Sequence, residues 1–235
     1  MIKRHYKLII FILIIFVVFL IYKTNHINYY SYTVLGDGYA LGINSYGIED
    51  YGYSDFLKDQ IKKEKKLKTY TKTFSRSDIS INRLYESIIT DEKKSINNIK
   101  KNIKQVLRES DLVTLSIGLN DIIYKISITP DITDKKVNTI VDNVTLELNQ
   151  LIVEINKYYP KKVYLIGYPD IPMENIYIKK GIKRLNRNMK EISNTVYINT
   201  EECIHHEDFL KSKSFYPSKY GYYKIYQELR KKLAK

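Results

Sequence analysis

The sequence predicts an α/β domain, a three-layer α/β/α sandwich around a parallel sheet of about five strands. Two observations predict this fold class. Short apolar runs alternate along the chain with segments whose apolar residues recur at helical spacing, and this alternation is typical of a parallel sheet covered on both faces. A Gly-Asp-Gly turn also follows the first apolar run directly, and parallel α/β proteins place functional groups at such strand ends.

Five short segments are the predicted strands. They are YTVL at 32–35, a weaker KTYTKTF at 68–74, LVTLSI at 112–117, KVYLIGY at 162–168 and TVYIN at 195–199. Their length and their content of β-branched and aromatic residues favour strands over helices.

Three longer segments have helical spacing. SINNIKKNIKQVL places Ile96, Ile99, Ile103 and Val106 on one stripe. The segment from Asp134 to Pro160 repeats Val, Ile and Leu in the same way, and the proline follows the end of its pattern. The last segment, YGYYKIYQELRKKL, follows Ser218, a residue type that commonly caps a helix N-terminus.

The N-terminal segment predicts a membrane anchor. Residues 8–22 contain no charge, Gly or Pro, and fifteen residues rise roughly 22 Å as a helix, which flanking lysines extend towards the ~30 Å hydrocarbon core. We predict an uncleaved signal anchor at 1–24, a short linker at 25–31 and the folded domain at 32–235. A cleaved signal peptide and a core helix are the alternatives. The excess of basic residues before the apolar run predicts a cytoplasmic N-terminus and an extracellular domain.

The chain is basic, with a formal net charge of +13. The first 23 residues carry four basic residues and no acidic ones, so the other 35 basic and all 26 acidic residues follow them. The lysines are scattered and an exported domain rarely meets nucleic acid, so we expect no nucleic-acid partner. Anionic lipid head groups or wall polymers fit such a balance better.

Few residues of this chain could bind a metal or form a disulfide. Cys203 is the only cysteine, which excludes an intrachain disulfide and a multi-cysteine metal site. Four histidines are present, and only His205 and His206 lie in the predicted domain. We therefore expect no metal and no cofactor.

Three motifs together resemble the SGNH (GDSL) hydrolase superfamily. Gly36-Asp37-Gly38 follows the first strand, Gly-x-Asn-Asp at 118–121 ends the third strand, and Pro-Ser-x-x-Gly-Tyr at 217–222 precedes the last helix. The resemblance covers residues 32–233. It implies a flavodoxin-like sandwich of about five parallel strands, in which a Ser-His-Asp mechanism cleaves esters of lipids or acetylated sugars.

This chain departs from the family pattern at all three triad positions. The family's serine follows Gly-Asp, where this chain has Gly38, and its Asp-x-x-His-Pro block aligns on Lys213 and Tyr216. The resemblance keeps Gly38, Gly118 and Asn120 as oxyanion or ligand-binding residues. The family's second block is unclear, because residues 74–84 contain no glycine.

These losses remove the chemistry of the family mechanism. Gly38 has no nucleophilic atom, a tyrosine phenol with a reference pKa near 10 is a poor base at pH 7, and Lys213 has the wrong charge to orient an imidazolium. His205 or His206 could stand in as a base. Ser45 and Ser116 are the nearest hydroxyls in sequence, but neither lies in a turn that would present it.

The sequence therefore predicts a catalytically degenerate binding or scaffolding protein at the cell surface. Its partner would be a wall glycan, an acyl ligand or a protein, and the loop tyrosines Tyr39, Tyr46, Tyr51 and Tyr53 suit a sugar ring or acyl chain. An ester hydrolase with displaced catalytic residues is the alternative. A nucleotide-binding module is disfavoured, because the chain lacks the spacing of the glycine-rich phosphate motifs.

Overall fold

The computed structural model describes residues 11–17, 29–210 and 214–234. Residues 11–17 are helical and exposed. No helix within the described ranges is long and apolar enough to cross a membrane. The rest of the predicted anchor, residues 1–10 and 18–24, lies outside those ranges, so the anchor stays a prediction.

A five-stranded parallel sheet forms the centre of the fold. Its strands, in the spatial order β2-β1-β5-β6-β7, are β1 (Tyr30–Gly36), β2 (Leu67–Thr71), β5 (Leu112–Ser116), β6 (Val163–Ile166) and β7 (Thr195–Ile198). The predicted parallel sheet is confirmed. β1 begins at Tyr30, within the predicted linker, and β2 ends at Thr71, before the predicted Phe74.

Helices cover both faces of the sheet. They are α1 (Gly38–Leu41), α2 (Tyr53–Lys63), α3 (Ile81–Ile89), α4 (Ile103–Glu109), α5 (Leu119–Ser127), α6 (Asp134–Asn156), α7 (Ile176–Met189) and α8 (Lys219–Leu233). α6 packs against α3, α5 and α7, and α2 packs against α8. The predicted cap of the last helix is confirmed, because the Ser218 hydroxyl accepts a hydrogen bond from the Gly221 N–H.

The predicted helix through SINNIKKNIKQVL is wrong over its first half. Residues 93–102 form an antiparallel hairpin, β3 (Lys93–Ile96) and β4 (Ile99–Asn102), and α4 begins only at Ile103. Asn97 and Asn98 both have positive φ, 50° and 65°, as a two-residue type I′ hairpin turn requires. The Asn-Asn turn therefore outweighs the helical spacing of the isoleucines, and Ile96 pairs with Ile99 across the hairpin.

The carboxyl ends of the strands meet along one edge, and this edge carries the candidate site. Gly36 pairs with Ser116 at the ends of β1 and β5. The Asp37 N–H donates to the Ser116 carbonyl, 2.8 Å away, so the first turn is held to the end of β5. The motifs of β1 and β5 are thus neighbours because the register of the sheet aligns them.

Candidate functional site

Tyr216 occupies the space that a side chain at position 38 would need. A Cβ atom added to Gly38 would lie 2.4 Å from the Tyr216 hydroxyl oxygen and 2.5 Å from its Cζ and Cε1 atoms. The two residues are 178 positions apart in the chain. The structure therefore brings together the positions that the resemblance aligned with the family's serine and histidine, and it fills the position of the nucleophile with a phenol ring.

Tyr216 belongs to a cluster of tyrosines around Tyr39. The ring centroid of Tyr39 lies 5.3 Å from that of Tyr168, 5.5 Å from that of Tyr216 and 6.0 Å from that of Tyr222. Three of these four rings are fully buried, and Tyr216 is half-buried. Acyl transfer by the family mechanism needs an accessible nucleophile beside a polar base. At these positions the chain has packed aromatic rings instead.

Hydrogen bonds hold the cluster in place. The Tyr39 hydroxyl donates to the Phe215 carbonyl at 2.8 Å, and the Tyr222 hydroxyl donates to the Ile43 carbonyl at 2.7 Å. The Ser45 hydroxyl donates to the Tyr216 carbonyl at 2.9 Å. The loop after β1 and the segment before α8 are thus joined to each other, and the ring of Tyr216 is held over Gly38.

Burial makes Tyr216 a weaker base than an ordinary tyrosine. Desolvation, together with the nearby Asp37 charge, raises the pKa of the Tyr216 phenol well above its usual value. Only the charged phenolate form of tyrosine can act as a base, and burial disfavours that form because it removes water from the charge. Tyr216 therefore stays protonated at neutral pH and cannot activate a hydroxyl or a water.

Asp37 is the buried polar centre of the edge. Its carboxylate accepts hydrogen bonds from the Tyr168 hydroxyl at 2.6 Å, the Ser116 hydroxyl at 2.7 Å and the Tyr39 N–H at 3.0 Å. Burial raises the pKa of Asp37 to about 6, against the lowering effect of these hydrogen bonds. The Ser116 hydroxyl points at Asp37 from within β5, so it is a partner of Asp37 and not a presented nucleophile.

The raised pKa of Asp37 makes the stability of the fold depend on pH. The folded protein holds a proton on Asp37 up to about pH 6, whereas the unfolded chain loses it near pH 3.8. Stability from this group is therefore fully present below pH 3.8 and is lost as the pH rises through 6. At 1.36 kcal/mol per pKa unit the loss is about 3 kcal/mol.

Asp37→Asn is expected to abolish this contribution. Between pH 4 and pH 7 the free energy of unfolding of the natural protein should fall by about 2 kcal/mol more than that of the variant. Urea unfolding followed by circular dichroism at several pH values measures both. Parallel pH profiles for the two proteins would contradict the assignment to Asp37. Burial also raises the pKa of Asp121 to about 6. Both proteins contain Asp121, so its contribution to the pH dependence cancels in the difference.

Asn120 reaches the edge, but its side-chain amide is engaged. Its Nδ2 atom lies 2.9 Å from the Ser77 carbonyl and 2.9 Å from the Ile79 carbonyl, and it donates to both. These contacts fix the loop that aligns with the family's unclear second block. A role for Asn120 in binding a ligand oxygen stays a prediction, and it requires the amide to release one of these carbonyls.

Glycine suits the two predicted positions of the site, 118 and 38, for different physical reasons. Gly118 is the N-cap residue of α5 and has φ of +114°, a backbone conformation that L-residues rarely adopt. Gly38 is the first residue of α1, where backbone N–H groups have no partner within the helix. Its N–H is the part of the family's oxyanion hole that needs no side chain.

His205 and His206, the candidate substitute bases, lie at the start of a short turn after β7, and their role as a base stays a prediction. The His206 Nε2 atom lies 3.4 Å from an Asp170 carboxylate oxygen and the side chain is 59% exposed. The backbone N–H of His205 donates to an Asp208 carboxylate oxygen at 2.9 Å. Within residues 29–210 and 214–234 neither imidazole makes a hydrogen bond to a hydroxyl group. Lys213, the residue at the family's aspartate position, lies outside the described residues.

The loop tyrosines divide into core and surface residues. Tyr39 and Tyr53 are fully buried, whereas Tyr46 is 60% exposed. Tyr51 packs edge-on against Phe56, with ring centroids 4.6 Å apart, and the Lys219 Nζ atom lies 4.6 Å from its ring centroid. Only Tyr46 and Tyr51 therefore present ring surface of the kind predicted for a ligand.

Sequence reasoning missed two residues of this edge. Tyr168 bonds to Asp37, and a signal for it existed, because it closely follows the carboxyl end of β6, where parallel strands bring their functional groups together. Asp208 is buried and lies 2.8 Å from the Lys224 Nζ atom. Asp208 belongs to the polar sequence HHED, whose first three residues are exposed, and nothing in this sequence predicts that Asp208 is buried.

The fold and this edge define an α/β/α domain of the hydrolase type, in which the ring of Tyr216 covers Gly38. The chain belongs to the GDSL-like lipase/acylhydrolase family, whose model matches residues 26–229. A search of curated proteins found no match.

Solved structures of esterases share the fold. A lipase, Lip_vut3, from a goat rumen metagenome has a TM-score of 0.68 at 16% identity, with 86% of this chain and 96% of that chain covered. The acetylxylan esterase Axe2 from Geobacillus stearothermophilus has a TM-score of 0.62 at 15% identity, with 89% and 96% covered. Catalytic mutants of Axe2 that also match replace a serine, a histidine and an aspartate by alanine.

Proposed function

We propose that this protein is a catalytically inactive member of its family that binds a ligand or partner at the cell surface. One observation carries the proposal. The ring of Tyr216 lies where the side chain of a nucleophile at position 38 would be, with its hydroxyl oxygen 2.4 Å from the Cβ atom that such a residue would add. The family mechanism needs a nucleophilic side chain at position 38 and a base at position 216, and Gly38 and Tyr216 supply neither.

The tyrosine cluster supports a binding role. A buried and hydrogen-bonded cluster of tyrosines maintains the shape of this edge around Asp37. The Gly38 N–H and, after a rearrangement, the Asn120 amide would still donate to a carbonyl or carboxylate oxygen. The similarity to a lipase and to an acetylxylan esterase favours an acyl group or an acetylated glycan as the ligand.

We further propose that residues 1–24 anchor the domain to the membrane, with the domain outside the cell. The support is the uncharged apolar run at 8–22 and the basic residues before it. The short connection to β1 would keep the domain close to the bilayer.

A fluorophosphonate probe tests the absence of catalysis directly, because it reacts with serines that an adjacent base has activated. The natural full-length protein in neutral detergent micelles is expected to remain unlabelled, with p-nitrophenyl acetate hydrolysis at the level of heat-denatured protein. A Ser45→Ala, Ser116→Ala double variant is the matched control. Labelling that this variant abolishes would overturn the proposal and would identify a displaced nucleophile.

A further inference from the structure

The edge of the sheet opposite the candidate site carries unpaired basic residues. The strands begin at this amino edge, and the helices that precede β2, β5, β6 and β7 end there. At this edge, six exposed basic side chains have no carboxylate within ion-pair distance among the described residues. We call them the amino-edge basic surface: Lys62, Lys63, Lys65, Lys162, Arg230 and Lys232.

Several contacts show that these residues share one edge. Tyr30 pairs with Leu67 at the starts of β1 and β2. Tyr30, Lys66 and Arg230 line one cleft of about 340 Å³, which joins the start of β1 to the ends of α2 and α8. The Lys161 Nζ atom lies 3.0 Å from the Asp111 carboxylate, which joins the loop before β6 to the start of β5.

Helix dipoles account for only part of this surface. Cations are favoured in the last turn of a helix, and Lys62, Lys63, Arg230 and Lys232 occupy the last turns of α2 and α8. Lys65 and Lys162 lie outside the helices. The acidic residues Glu64 and Asp111 of the same edge are already paired, with Lys66 and Lys161. Glu191, in the turn before β7, is a further exposed carboxylate of this edge, and the six basic residues of the surface outnumber it together with Glu64 and Asp111.

The opposite edge differs in charge. The loops that follow β1, β6 and β7 carry exposed carboxylates at Asp50, Asp170, Glu202 and Glu207. Of these, Asp170 pairs with Lys179. An anionic surface would therefore attract the amino edge more strongly than the site edge.

The chain also enters the domain at the amino edge. Tyr29 and Tyr30, at the start of β1, are 56% and 37% exposed. Tyrosines are enriched where protein meets the head-group layer. The apolar run at 8–22 lies only a few residues before them in the sequence.

We propose that the amino-edge basic surface docks on an anionic phospholipid bilayer, so that the candidate site faces away from the membrane. Each Lys or Arg near such a surface strengthens binding, and the attraction falls off within a Debye length, about 10 Å at 0.1 M salt. The docking involves the edge opposite Gly38 and Tyr216, so it does not depend on whether the site is catalytic.

Fluorescence quenching tests the orientation in the full-length protein. In a Cys203→Ser background, Glu191→Cys places a fluorophore at the amino edge and Glu207→Cys places one at the site edge. The proteins are reconstituted in vesicles of phosphatidylcholine, with or without phosphatidylglycerol, that contain lipids with a quencher on the head group. We expect the Glu191→Cys probe to be quenched at least about twofold more in anionic than in neutral vesicles, and the Glu207→Cys probe to show no such difference.

Charge variants separate docking from anchoring. Neutralising three amino-edge lysines should reduce the quenching to the level of neutral vesicles, whereas a control with the same charge change elsewhere should not. The variants are Lys63→Gln, Lys65→Gln and Lys162→Gln against Lys135→Gln, Lys183→Gln and Lys219→Gln. Circular dichroism confirms that both are folded.

Three outcomes would overturn the docking proposal. Equal quenching in both vesicle types would mean that the N-terminal segment alone positions the domain. Equal effects of the two triple variants would mean that overall charge decides. If the amino-edge variant lost binding to dextran sulfate but kept its quenching on vesicles, the surface would serve a soluble polyanion. Vesicle flotation that requires phosphatidylglycerol would support docking even where the anchor does not insert.

Discussion

The triple variant Gly38→Ser, Lys213→Asp, Tyr216→His is expected to hydrolyse p-nitrophenyl acetate at least about 100-fold faster than the natural protein. In serine hydrolases the complete triad contributes about 10⁶-fold and the oxyanion hole and binding alone leave about 10³-fold. The Gly38 N–H is retained here, and Tyr216→His removes the ring that would crowd the new serine. Initial rates in detergent micelles measure the gain.

The matched controls isolate each part of this expectation. Gly38→Ser alone should give no turnover and should destabilise the fold by about 1 to 3 kcal/mol, because its Cβ atom meets the Tyr216 ring. A second triple variant carries Tyr216→Asn in place of Tyr216→His. It has the new serine and the space for it, but no base at position 216. A folded triple variant no faster than this control would show that the alignment of Lys213 and Tyr216 with the family's triad is wrong.

Gly36→Ala is expected to destabilise the protein by more than about 4 kcal/mol. An added Cβ atom would lie 1.8 Å from the Ser116 carbonyl oxygen, and φ at this position is +125°. The oxygen is backbone of the neighbouring strand and cannot rotate away. The substitution would therefore separate β1 from β5 at the point that holds Asp37.

Gly47→Ala provides the matched comparison. Gly47 also has a positive φ, +79°, but nothing lies within 4 Å of an added Cβ atom. It should cost only the backbone strain, about 1 to 2 kcal/mol. Urea unfolding of both variants measures the difference, and costs within about 1 kcal/mol of each other would refute the close packing of β1 on β5.

Much of the fold could be predicted from short-range patterns. The strands of the sheet are short runs of β-branched and aromatic residues, and α6 and α8 carry apolar stripes that face the core. These signals are local, because burial selects residue types at each position of a strand or helix. The family also rests on local motifs, and the match over residues 26–229 confirms it.

The hairpin at 93–102 shows where a local pattern misleads. The spacing of its isoleucines satisfies a helix, and Ile96 and Ile99 meet equally well across a two-residue turn. Two consecutive residues with positive φ decide between them. Asparagine tolerates this conformation better than most residues, but its presence alone does not require it.

The character of the site depended on contacts between distant parts of the chain. That Gly38, Lys213 and Tyr216 depart from the triad is a property of the sequence. Three other features follow only from the tertiary structure. The Tyr216 ring covers Gly38, and the Tyr168 hydroxyl donates to Asp37. The Asn120 amide donates to the Ser77 and Ile79 carbonyls.

The sequence by itself determined the sheet, the helices α6 and α8, and the family, because local burial patterns and motifs encode them. Only the tertiary structure decided what replaced the catalytic groups and where the basic residues gather. Both depend on the packing of residues more than a hundred positions apart, and on helices that end at the same edge. No local pattern records which side chain will fill a space, since that space exists only once the sheet has formed.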